Sequence, residues 1–200
     1  MAEPVVHVID DDEAMRQSLH FLLDSAGLEA KTYASAIQFL EAGEPVSAGC
    51  IVTDVRMPDM NGLELVRKLN ERKASPPVIM ITGHGDVPLA VEAMKAGVLD
   101  FLEKPFDDDA LLASIRAALA GGRDAGEDDE RTRFRTMFEQ LSPRERDVLN
   151  GIVAGKANKV IAYDLDISPR TVEVYRANVM TKTGAGSLSG LVRMALLAGL

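Results

Sequence analysis

Five short apolar runs, each rich in β-branched residues and each followed by a stretch of helical periodicity, constrain this 200-residue chain most. They read as strands near residues 5–10, 29–33, 49–53, 77–82 and 99–103, with helices near 13–26, 35–41, 62–72, 86–96 and 107–119. The first helix carries its apolar stripe at Met15, Leu19, Leu22 and Leu23. Strand and helix in strict alternation predict an α/β, doubly wound, five-stranded parallel sheet with right-handed crossovers.

Polar residues stand where the apolar runs end. Asp10 and Asp11 follow the first, Asp54 the third, Thr82 the fourth and Lys104 the fifth. Open parallel sheets bind ligands beyond the carboxyl ends of their strands, at a topological switch point. The pattern therefore brings three carboxylates, a hydroxyl and an ammonium to one edge. Crowded carboxylates repel unless a cation joins them, and Mg²⁺ takes one or two carboxylates, waters and phosphate oxygens. A carboxylate can also accept a phosphoryl group, a transfer that asks for charge stabilisation and in-line positioning. Asp54, beside the tight-loop dipeptides Met57-Pro58 and Asn61-Gly62, is the expected acceptor. Asp10 and Asp11 would hold Mg²⁺, while Lys104 and Thr82 would contact phosphate.

Charge divides the chain. Residues 1–122 hold 10 Lys/Arg against 20 Asp/Glu, 123–139 hold 4 against 6, and 140–200 hold 8 against 5. A net charge of −9 hides a basic C-terminal block suited to a polyanion. Gly121-Gly122 ends the alternation and predicts a flexible joint near 121–126. The spacing of Phe134, Met137, Phe138 and Leu141 predicts a helix from about 128 to 140, its stripe docked on a domain or on a second copy. From Ser142 onward four short helices are expected. They start at the capping box Ser142-Pro143-Arg144-Glu145, at Asn158, at Ser168-Pro169 and at Ser187, with a tight turn at Asp166-Ile167. That is a helix-turn-helix pattern. The expected organisation is a domain over 1–122, a partly helical linker over 123–140 and a small all-α four-helix domain over 141–200. Cys50 lies inside a strand and reads as core, and no run is long enough to span a membrane, so a cytoplasmic protein is expected.

On Asp10-Asp11, Asp54-Val55-Arg56-Met57-Pro58, Thr82-Gly83 and Lys104-Pro105, residues 1–120 resemble a two-component response-regulator receiver domain. The resemblance implies a flavodoxin-like strand order of 2-1-3-4-5. It implies Asp54 phosphorylated by a sensor histidine kinase, and Mg²⁺ bound by Asp11, Asp54 and the Arg56 main-chain carbonyl, with Asp10 acting through water. It also implies a cis Lys104-Pro105 peptide, and a switch in which Phe101 turns inward as Thr82 moves toward phosphate.

Residues 140–200 resemble the LuxR-type helix-turn-helix at Leu141-Ser142-Pro143-Arg144-Glu145, Asn158-Lys159-Val160-Ile161-Ala162 and Ser168-Pro169-Arg170-Thr171-Val172. Helical spacing turns Val172, Tyr175, Val179 and Thr183 inward, and Arg170, Glu173, Val174, Ala177 and Thr181 outward. Val174 and Glu173 suit base edges in the major groove of double-stranded DNA. Lys159, Arg170, Arg176 and Lys182 suit phosphates, and Thr171, Ala177 and Asn178 complete the expected surface.

On Thr82-Gly83-His84-Gly85-Asp86-Val87-Pro88 and Ala157-Asn158-Lys159-Val160-Ile161-Ala162-Tyr163-Asp164-Leu165, the chain is similar across both halves to response regulators of the FixJ type, a nitrogen-fixation family. That implies a haem, oxygen-sensing kinase as phosphodonor, a homodimer formed on phosphorylation, RNA polymerase as partner, and activation of nitrogen-fixation or microaerobic genes. A regulator rather than an enzyme is expected. The competing expectations are a Mg²⁺-dependent aspartyl-phosphate phosphatase, which would want an acid where Arg56 stands, and a phosphorelay module without DNA binding. Without phosphate, the acidic first domain or the 128–140 helix is expected to restrain the basic block. Arg56 and His84 each lie two residues beyond a site residue and should border the phosphoryl group. Arg56→Ala and His84→Ala are each expected to change the half-life of the phosphorylated chain, read by loss of label after donor removal.

Overall fold

The computed structural model describes residues 4–43, 49–72, 76–83, 87–120 and 127–200. The expected joint at 121–126 and His84 lie outside the described residues. The chain divides into two units, Met1–His84 with Ala96–Gly122, and Gly85–Lys95 with Arg123–Leu200.

In the first unit, β1 (Val5–Ile9), β2 (Glu29–Tyr33), β3 (Cys50–Asp54), β4 (Val78–Thr82) and β5 (Asp100–Glu103) form one sheet in the order β2-β1-β3-β4-β5. Every pairing is parallel, as the alternation predicts. All ten residues of β3 and β4 are buried, which is why they read as unbroken apolar runs with no period-two signal. Cys50 is a free, buried thiol pushed by desolvation to about 12, so it packs as core.

The helices begin where polar side chains stop the strand pattern. Asp12 accepts from the N–H groups of Ala14 and Met15 and starts α1 (Glu13–Ser25), whose Leu19 and Leu23 are buried. Ser35 caps α2 (Ala36–Ala42), Asn61 and Glu64 close a capping box on α3 (Gly62–Glu71), and Asp107 caps α5 (Asp108–Leu119).

In the second unit, α6 (Glu127–Glu139), α7 (Pro143–Val153), α8 (Asn158–Asp164), α9 (Pro169–Thr183) and α10 (Leu188–Ala198) surround a core that includes Phe138, Val148, Leu149, Ile161, Val172, Val179, Leu191 and Ala195. Asp166 takes the left-handed φ of 55° in the turn between α8 and α9. The helix expected at 128–140 is α6, and its stripe docks inside this unit: Phe138 is buried and Phe134 packs beside it. Arg131 and Arg135 donate to the Leu197 and Ala198 carbonyls, at 3.1 and 2.9 Å, closing the C-terminal end of α10. By packing, α4 (Val87–Lys95) groups with the C-terminal helices, its Val91 and Met94 being buried in their core.

Gly62 opens α3 against the end of β3. A Cβ there would stand 2.4 Å from the Asp54 carbonyl oxygen and 3.3 Å from the Thr53 methyl, and backbone cannot step aside as a side chain can. Gly62→Ala is therefore expected to lower stability by about 1–3 kcal/mol, measured by urea unfolding.

Candidate functional site

Two neighbouring strands supply the carboxylates. Asp10 follows β1 directly, and Asp54 is the last residue of β3. β1 pairs with β2 on one side and β3 on the other, so both acids stand at the topological switch point. Lys104 comes in from the end of β5. Its Nζ lies 3.0 Å from Asp10 Oδ2 and 2.6 Å from Asp54 Oδ2, bridging the two. The outer oxygens are held by main chain: Asp10 Oδ1 accepts from the Asp12 N–H at 2.8 Å, and Asp54 Oδ1 from the Arg56 N–H at 2.9 Å. Arg16 donates to the Asp10 carbonyl at 2.7 Å and fixes the turn that carries this acid.

Burial sets the electrostatics. Asp10 is 1% exposed. Desolvation pushes its carboxyl above the usual range, with the Asp12 N–H and Lys104 offsetting part of the rise. Burial also works against the Lys104 ammonium, yet its hydrogen bonds to Asp54 and Asp10 outweigh that, and its pKa stands above the ordinary 10.5.

The other expected members are placed differently. Thr82, the last residue of β4, is wholly buried, and its carbonyl accepts the Lys104 N–H at 2.7 Å. Phe101 on β5 is buried, 6% exposed. Asp11 and the Arg56 side chain are exposed. Lys104-Pro105 is cis. Asp10, Asp54 and Lys104 thus converge, whereas Asp11 stands in solvent. Among the described residues no group of three His, Cys, Asp or Glu is gathered closely enough to hold a metal ion. The donor chemistry nevertheless fits Mg²⁺: hard carboxylate oxygens on Asp10 and Asp54, with the exposed Asp11 adjacent to Asp10 in sequence. Arg16 escaped sequence reading because nothing in its spacing marks a side chain that returns to a carbonyl six residues earlier.

On the second unit, Arg170, Glu173, Val174 and Ala177 line one open hollow on α9. Asn178 and Thr181 are exposed beside them, and Lys159 is exposed on α8. Val172, Val179 and Thr183 are buried and Tyr175 packs against the core. Thr171 serves the helix start, its N–H donating to Ser168 Oγ at 3.1 Å and the two hydroxyls lying 2.8 Å apart. Two expected phosphate ligands are engaged internally. Arg176 is half-buried and donates to Asn158 Oδ1 at 3.0 Å, and Lys182 Nζ donates to the buried Glu145 at 2.7 Å. Glu145 is legible as a capping residue, but its second partner is not.

A parallel sheet with an acid-lysine centre, followed by a helix-turn-helix, defines a response regulator. The family models agree: the response regulator receiver domain matches residues 6–116, and the bacterial regulatory proteins of the luxR family match residues 139–195. The chain belongs to the response regulators that join these two domains. It is 62% identical over 195 residues to the transcriptional regulatory protein FixJ of Azorhizobium caulinodans, covering 97% of this chain and 92% of that protein. FixJ of Rhizobium meliloti is 53% identical over 203 residues, covering 100% and 98%. Full-length FixJ from B. japonicum, a crystal structure, is 52% identical with a TM-score of 0.57, covering 100% of this chain and 98% of that one. The chain is thus a FixJ-like transcription regulator. Among the described residues no helix is long and apolar enough to cross a membrane.

The bridge generates a prediction. A carboxyl whose folded pKa is raised weakens the fold at neutral pH and stops doing so once protonated. Lys104→Met removes part of what offsets that cost. It is expected to destabilise the first unit by about 1–3 kcal/mol at pH 7, with the loss shrinking as pH falls through the raised Asp10 titration. Urea unfolding of variant and parent, compared at neutral pH and at successively lower pH, measures this.

Proposed function

We propose that Asp54 is the phosphoacceptor of a sensor histidine kinase and that its phosphorylation drives DNA binding and transcriptional activation. The observation that carries this reading is the Lys104 ammonium 2.6 Å from Asp54 Oδ2, which places a cation beside the attacking carboxylate. The Asp54 oxygen attacks phosphorus, the bond from phosphorus to the kinase histidine nitrogen breaks, and an acyl phosphate forms. Asp54, Asp10 and Asp11, with the Arg56 carbonyl, would hold Mg²⁺, which supplies charge neutralisation for the phosphoryl oxygens when bound. Lys104 then exchanges its pairing with the acceptor for one with the phosphoryl group, and the Thr82 hydroxyl hydrogen-bonds a phosphoryl oxygen.

The new charge, about −1.5 to −2, acts on a backbone link already present. Lys104 donates its N–H to the Thr82 carbonyl, so the ends of β4 and β5 respond together and Phe101 on β5 follows. Repacking of helix α4, β5 and α5 then forms a homodimer surface, and the dimer sets two recognition helices on half-sites about one helical turn apart, or a multiple of that. Glu173, Val174 and Ala177 face bases, and Arg170 and Lys159 face phosphates. The working division is a receiver over 1–122 and a DNA-binding domain over 141–200, with 123–140 between them. Because α6 buries Phe138 in the C-terminal core, a separately expressed DNA-binding fragment should begin before Glu127.

By resemblance to regulators of the FixJ type we further infer a cytoplasmic activator of nitrogen-fixation or microaerobic genes, working with RNA polymerase and receiving phosphate from a haem oxygen-sensing kinase. Asp54→Asn tests the core of this. With acetyl phosphate and Mg²⁺ the parent is expected to dimerise and to shift a duplex enriched from a random pool. The variant should do neither beyond its untreated level. A variant that still responds to the donor refutes Asp54 as acceptor.

A further inference from the structure

The sequence assigns Lys182 to a DNA phosphate, but the structure spends it elsewhere. Its Nζ reaches back 37 residues to Glu145 Oε2 at 2.7 Å. That same oxygen accepts the Ser142 N–H at 2.8 Å, so a single carboxylate atom joins the start of α7 to the last turn of α9. Glu145 is 4% exposed, and Lys182 remains two-fifths exposed over it. Earlier along α9, Arg176 is tied to Asn158, the first residue of α8, which has no side-chain cap of its own. Helix α9 is therefore held to α7 at its end and to α8 in its middle by polar ties, and what it can place in a groove depends on both.

We propose that Lys182, acting through Glu145, is a positioning residue that sets the pose of the recognition helix rather than a contact to DNA phosphate. The proposal rests on the DNA-binding reading of the second unit. Lys182 and Ser142 also hold the Glu145 carboxyl below its ordinary 4.5, so this carboxylate is charged at neutral pH. A charged acceptor this deeply buried, left without its cation, loses a charge-assisted hydrogen bond that nothing in solvent replaces geometrically. Lys159 and Arg170, exposed on α8 and α9, are suited to counterion release.

The two roles predict opposite signs for one substitution. Glu145→Gln keeps a side chain able to cap α7, removes a negative charge and releases Lys182. If Lys182 served phosphate, that variant would bind DNA as tightly as the parent or tighter. If Lys182 positions α9, the variant binds more weakly in spite of its gained positive charge.

The experiment uses the full chain treated with acetyl phosphate and Mg²⁺, a duplex enriched from a random-sequence pool by the parent, and titrations from about 50 to 200 mM salt. Lys182→Met and Glu145→Gln are each expected to weaken binding about tenfold with the salt slope unchanged. The double variant should be no weaker than either alone, and Lys182→Arg should restore binding. Arg170→Ala should lower the slope by about 0.9. A similar drop in slope for Lys182→Met, or undiminished binding by Glu145→Gln, overturns the positioning role and leaves the DNA-binding reading standing. If Glu145→Gln proves unfolded by circular dichroism, the Lys182→Met slope decides alone. A parent that enriches no duplex sinks the DNA-binding reading itself.

Discussion

One ammonium between two buried carboxylates is the interaction on which the first unit's chemistry rests. The fold forces the problem: parallel strands end on the same side, and the switch point sets the ends of β1 and β3 next to one another. Asp10 is too buried to shed its charge cost to water, and Asp54 is little better placed. Lys104 meets both needs because β5 delivers it across β4, and because its aliphatic stem tolerates partial burial while the head stays charged. The consequence is functional as well as structural. A site held by a cation shared between two acids is one in which a newly arriving anion changes the partners of every member.

Much of this was readable along the chain because it is local. A strand buried on both faces is an apolar run, a helix start is a Ser, Asp or Asn whose side chain accepts from an N–H two or three residues on, and a polar residue at the end of a run sits at the sheet edge. Asp10, Asp54, Thr82 and Lys104 followed from those three rules, and so did the boundaries of α7, α9 and α10. What escaped reading is non-local. Arg16 binds a carbonyl, which leaves no trace in residue identity, and α4 looks like an ordinary amphipathic helix although Val91 and Met94 enter the C-terminal core. Asp11 satisfied the same end-of-strand rule as Asp10, yet only one of two adjacent residues can point into a buried corner, and Asp10 takes it.

The second unit shows the same limit in sharper form. A basic residue near a recognition helix is assigned to DNA by default, since a polyanion is the obvious partner. Lys182 and Arg176 have protein partners within 3.0 Å, and both partners sit on other helices. A small domain has little apolar area with which to orient a helix, so polar ties between helices carry part of that work. Charge counted along a sequence therefore overstates the charge offered to a nucleic acid.

The proposed switch must also meet an energetic requirement. Moving a two-state domain from one part in a hundred active to ninety-nine takes about 5.5 kcal/mol of differential stabilisation, and charge-assisted hydrogen bonds contribute about 1.5–3 kcal/mol each. Lys104 is already paired with Asp54 before phosphate arrives, so its re-pairing counts only by the difference between the two partners. Most of the bias must then come from contacts made to the phosphoryl group alone, and in the proposed mechanism the Thr82 hydroxyl would make one of them. In the proposed switch this orders the roles: Lys104 would make the acceptor corner tolerable and guide the incoming group, whereas movement of Thr82 would separate the inactive state from the active one.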